Sequence, residues 1–111
     1  MRQLLSTKPV GTLYNNCASN NIATGSWLQL LSSIPVAASA IEVFNPSGSI
    51  LQLSIGAAGH ETDTGKLFLY TIQPGGSTGL LPFEIPNSKP LSVKAVDAAV
   101  SDGYLVINFF G

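Results

Sequence analysis

From Ser26 onward, short apolar runs alternate with Gly, Pro, Asn and Ser at about the 8–15-residue spacing of an all-β sandwich. Within Ala40–Asn45, Ile41 and Val43 alternate with Glu42 and Phe44; within Ser49–Ile55, Leu51, Leu53 and Ile55 alternate with Gln52 and Ser54. A period of two puts each set on one face of a strand, and the apolar face is predicted to be buried. Asn45-Pro46-Ser47-Gly48, with proline second and glycine fourth, predicts a tight hairpin between these runs. Further strands are predicted over Trp27–Leu31, Lys66–Gln73, Leu80–Ile85, Leu91–Val96 and Gly103–Phe110. Lys66–Gln73 has apolar bulk on both faces, so cover is expected on both, one side being open to another subunit. Pro82 cannot donate to a ladder, which assigns its strand to a sheet edge. Pro74–Gly79 reads as a flexible turn and Gly56–Gly65 as an exposed loop. Val36–Ala40 and Asp97–Val100 are too short for stable helices. The expected body, residues 26–111, is therefore a single β-sandwich of about 7–8 antiparallel strands. Jelly-roll and immunoglobulin-like topologies would share this pattern.

Residues 1–25 read differently, with Asn, Ser, Thr and Gly dominating from Thr12 to Gly25. We expect an extended N-terminal arm that holds a short strand at Gly11–Asn16 and lies on the body or on a partner, having too little apolar surface to fold alone. Leu4, Leu5, Leu13 and Tyr14 are its candidate contact residues, and removing residues 2–16 is expected to leave the β body folded.

Composition narrows the function. The chain has 111 residues, enough for one core but not for a multidomain enzyme. Charged residues make up 10% of it, and the net charge is -1. That balance leaves no electrostatic footprint for nucleic acid or an anionic membrane. Mean hydropathy is +0.33. So little charge on an apolar chain points to a protein that is docked on something, a homo-oligomer or a larger assembly. Cys17 is the single cysteine, which fits a reducing compartment. No signal peptide is expected from the opening MRQLLSTKP, and the uncharged stretch Val10–Ile41 is too polar to span a bilayer.

Five features bear on chemistry. Gly75-Gly76-Ser77-Thr78-Gly79 matches G-x-S-x-G, but a nucleophile elbow needs a helix after the serine, and none is predicted. His60, Glu61 and Asp63 offer one nitrogen and two oxygens to a metal, yet no other carboxylate (Glu42, Glu84, Asp97, Asp102) has a spacing that completes the set. Asp97 and Asp102 more simply cap the turn before the last strand, and Cys17, between Asn16 and Ala18, lacks an activating neighbour. Trp27, Tyr14, Tyr70 and Tyr104 have rings able to stack on sugars or to fill the sandwich. No cofactor and no enzymatic activity is expected.

The run IEVFNPSGSILQLSIGAAGHE, the loop TIQPGGSTGLLPFEIP and the closing GYLVINFFG resemble small virion proteins of tailed bacteriophages. The similarity is closest to the capsid decoration, or staple, proteins of the epsilon-fifteen-like short-tailed phages and covers most of residues 40–111. The resemblance implies a jelly-roll that docks on the capsid exterior, across joints between major capsid subunits, after synthesis in the bacterial cytoplasm. It brings no catalytic residues. Besides the arm, His60, Glu61, Asp63, Gln73 and Ser77 are then expected as secondary contacts. The competing expectation is a carbohydrate-binding or receptor-binding module of a virion surface or tail.

Overall fold

The structure, a computed structural model, describes residues 8–35, 37–56, 66–82 and 89–111. They form an all-β fold without helix, in nine strand segments. These are β1 (Pro9–Asn16), β2 (Leu28–Leu31), β3 (Ala40–Asn45), β4 (Leu51–Gly56), β5 (Lys66–Ile72), β6 (Gly76–Ser77), β7 (Leu81–Pro82), β8 (Leu91–Ala95) and β9 (Tyr104–Phe110). One sheet has the order β1-β9-β3, with β6 and β7 both on the far side of β3; the other runs β2-β8-β4-β5. β6 and β7 pair with opposite ends of β3, at Phe44↔Ser77 and Ile41↔Leu81, and so act as one interrupted strand. Every strand pairing is antiparallel.

The pairings nest. β4 pairs with β5, β3 with β6 and β7, β2 with β8, and β1 with β9, so each pair encloses the previous one in the chain. One hydrophobic core cluster draws side chains from both sheets. Ile41, Val43, Leu105, Ile107 and Phe109 enter it from the first sheet, and Leu51, Leu53, Ile55, Leu91, Val93 and Ala95 from the second. Burial alternates along β9 as the period-two pattern requires.

Asn45-Pro46-Ser47-Gly48 is not a hairpin. It carries the chain from β3 in one sheet to β4 in the other. Alternation reports that one face of a strand is buried, not whether the next strand lies beside it or opposite it. The crossing is held by the buried Asn45 side chain. Its Oδ1 accepts from Ser47 N (3.2 Å) and Ser47 Oγ (2.6 Å), and its Nδ2 donates to Ser49 O (3.0 Å) and Gln73 O (3.3 Å).

The segment expected as an arm lies on the body from Pro9 onward. β1 pairs along its length with β9, and Ile22, fully buried, bridges to Val100. Removing residues 2–16 would therefore strip the edge strand from β9 and uncover the inner side chains of that sheet. Leu69, on the outward face of β5, is 41% exposed, which leaves that face partly open, the side the sequence reading allows to another subunit. Pro82 sits on an edge segment as its missing N–H requires. Asp97 Oδ1 accepts from Ala98 N (3.0 Å) and Ile50 N (2.9 Å), and Asp102 Oδ1 from Gly103 N (2.9 Å), so both acids serve the turn before β9. Cys17 is buried, its sulfur beside the Asn15 amide at 3.5 Å.

Candidate functional site

Among the described residues, the exposed aromatic side chains gather on the outer face of the β1-β9-β3 sheet. Strand alternation turns Thr12 and Tyr14 of β1, Tyr104, Val106 and Asn108 of β9, and Glu42 and Phe44 of β3 away from the core. Register then assembles them in rows: Tyr14↔Val106↔Phe44 forms one, and Thr12↔Asn108↔Glu42 the next. Tyr104, paired with Asn16, lies diagonal to Tyr14, about 7–8 Å away by strand geometry. Tyr14 is 68% exposed, Tyr104 53% and Phe44 45%. Exposure of three aromatic residues on one sheet face is the kind of clustering that marks an interaction surface.

Beside the rings runs a chain of hydrogen bonds. Thr12 Oγ1 donates to Asn108 Oδ1 (2.8 Å), Asn108 Nδ2 to Glu42 Oε1 (3.2 Å), and Ser77 Oγ to Glu42 Oε2 (2.7 Å). Gly79 N donates to Ser77 Oγ at 3.1 Å. The network fixes the rotamers of this polar row and leaves lone pairs on the Glu42 carboxylate for further donors.

An open cleft of about 310 Å³ borders this face, between β5 and the interrupted edge strand. Tyr70, Ile72, Gln73, Ser77, Thr78 and Leu81 are among its walls. Burial pushes the Tyr70 phenol above its ordinary value. The loop between the strands turns on Gly75, Gly76 and Gly79, at φ 97°, 116° and 73°. It is not loose: Gly75 N donates to Asn45 O (3.0 Å), Thr78 N to Val43 O (3.0 Å), and Val43 N to Thr78 Oγ1 (3.1 Å). Ser77 thus enters a strand segment rather than the turn before a helix, so its surroundings are not those of a nucleophile elbow.

The second sheet is less available. Ser54 and Ser92, opposite each other on β4 and β8 and outside the core face, are fully buried. Trp27 is half-buried, with Lys94 Nζ 4.9 Å from its ring centroid and its Nε1 enclosed without a partner.

Among the residues expected from sequence, Tyr14 is on the exposed face, and Gln73 and Ser77 line the cleft beside it. Leu13 points inward and packs against the core. Leu4, Leu5, His60, Glu61 and Asp63 lie outside the described residues, and so does the metal constellation that the last three suggested. Of the four candidate stacking rings only Tyr14 and Tyr104 share this face. The sequence alone does not mark Phe44, Glu42, Asn108 or Thr12 as members of this face. Their outward parity was readable, but the non-local pairing of β1, β9 and β3 was not. No protein-family model, curated protein or solved structure matches this chain.

Proposed function

We propose that this chain is a non-enzymatic structural protein of a phage virion. It binds the outer surface of the capsid across joints between major capsid subunits and stabilises the mature shell. The observation that carries the reading is the exposed aromatic face of Tyr14, Phe44 and Tyr104 on a body with 10% charged residues, a surface suited to burial in an assembly. A jelly-roll topology is supported by the nested pairings and by strand orders in which the chain passes repeatedly between two sheets, as two Greek keys do. Docked between neighbouring subunits, each copy contributes binding free energy only while those subunits keep their mature spacing. That energy is linked to the mature state and so stabilises it. Synthesis in the host cytoplasm, a place on the capsid exterior and self-association on the shell belong to the same reading.

The test is co-sedimentation with expanded and with unexpanded shells of the phage, counting copies bound. Saturable binding to expanded shells at a copy number set by a lattice site is expected, with Tyr14→Ser/Tyr104→Ser weakening it. Absence of binding to either shell removes the proposal.

The polar row beside the rings favours a second reading, a neutral-saccharide site. Glu42 and Asn108 would bond hydroxyls while Tyr14 or Phe44 stacks on a sugar face. A few copies per particle, together with oligosaccharide-induced shifts of these residues in NMR spectra, would favour this role over a staple.

A further inference from the structure

The free edge of β1 offers a more specific site than the face beside it. β1 pairs only with β9, and its other edge carries no strand among the described residues. Cys17 N donates to Gly103 O at 2.9 Å, which fixes the phase of the ladder. Antiparallel strands bond at alternate residues, so Leu13 and Asn15 turn their amides to β9 while Thr12, Tyr14 and Asn16 turn theirs outward. Thr12↔Asn108 and Tyr14↔Val106 are then the close, non-hydrogen-bonded pairs, consistent with the 2.8 Å contact between the Thr12 and Asn108 side chains. The Asn16 carbonyl is used by Ser19 N and Asn20 N. The N–H and C=O of Thr12 and Tyr14 and the N–H of Asn16 point away from β9, on residues that are all exposed.

Natural sheet edges are normally blunted by charge, proline, bulges or brevity. β2 has four residues and a bulge, the β6–β7 edge is interrupted and contains Pro82, and β5 opens with Lys66. β1 has no charge, and its proline and bulge lie at its start, before Thr12.

We propose that this edge takes up an extended segment of a capsid subunit as an added strand, with Tyr14 flanking it. This inference rests on the capsid reading above. A partner strand alongside residues 10–16 would be about 24 Å long and cover on the order of 250 Å² on each side. A standard interface covers about 800 Å² per partner, so the edge alone is too small to hold two free copies together. A segment anchored on a shell already contacting the body is presented at high effective concentration, and a small strand interface then suffices.

Proline at position 14 removes an outward N–H and spares the β9 ladder, whereas alanine removes only the ring. The experiment compares wild type, Tyr14→Ala and Tyr14→Pro for occupancy of expanded shells, with thermal midpoints of the free proteins. Amide hydrogen exchange of free and shell-bound wild type is measured alongside. Expected are binding by Tyr14→Pro about tenfold weaker than by Tyr14→Ala, and Thr12 and Tyr14 amides that become protected only on the shell. Wild type that fails to bind any shell overturns the capsid reading itself. Wild type that binds with these amides still exchanging overturns the strand-addition inference alone, whatever the folding of the proline variant. Concentration-dependent protection without shells would assign the edge to a second copy and overturn it as well.

Discussion

Asn45 shows how one side chain decides a connection. It is buried, and its amide joins the 45–49 crossing to the start of the Gln73 loop through four hydrogen bonds. Asn45→Ala would remove the donor to the Ser49 and Gln73 carbonyls and the acceptor of Ser47 N and Oγ at a buried position, so a loss of about 2–4 kcal/mol is expected by urea denaturation. An unchanged midpoint would mean that the crossing holds without the side chain. Tyr70 supplies a pH dependence. Because burial raises its pKa from 10.0, the folded chain holds the phenolic proton more tightly than the unfolded chain. Its contribution is complete below about pH 10 and declines as pH rises through the raised folded value. Denaturation midpoints should fall across that alkaline window, and fall less in Tyr70→Phe; parallel curves would show that another group is responsible.

At the level of elements, turn geometry separates two glycines that look alike in sequence. Gly103, just before β9, has φ 78° and open space around a would-be Cβ, whereas Gly48 has the open space without the positive φ. Gly103→Ala is expected to cost about 1–2 kcal/mol through backbone strain. Gly48→Ala should be neutral or stabilise by about 0.4–1 kcal/mol. Equal midpoints for the two variants would contradict the backbone conformation at Gly103. The strands themselves were legible because half-buried strands leave a period-two trace: the predicted runs at 40–45, 91–96 and 103–110 differ from β3, β8 and β9 by at most one residue at an end. A hairpin at Asn45–Gly48 does not follow from its residues, because proline and glycine specify a change of direction, and a change of direction serves a hairpin and a crossing between sheets alike.

For the molecule as a whole, low charge becomes a property that can be measured. With a net charge of -1 and 10% charged residues, docking through the face at Tyr14, Phe44 and Tyr104 should be carried by apolar contact and backbone pairing. Occupancy of shells is expected to change by less than about twofold between low and high salt, since screening has few charges to act on. A steep loss with salt would point to a charged segment as the principal contact. The sequence by itself determined the all-β class, the positions of most strands though not of β6, the buried parity of β3 and β4 and the scarcity of charge, because these depend on local alternation and composition. Tertiary structure alone decided that β1 pairs with β9 and β9 with β3, which gathers Tyr14, Tyr104 and Phe44 on one face and, among the described residues, leaves one edge of β1 without a strand. Those contacts join residues about ninety or more positions apart in the case of β1 and β9. Local pattern carries no record of such partners, because the backbone groups that form the ladder are the same at every residue.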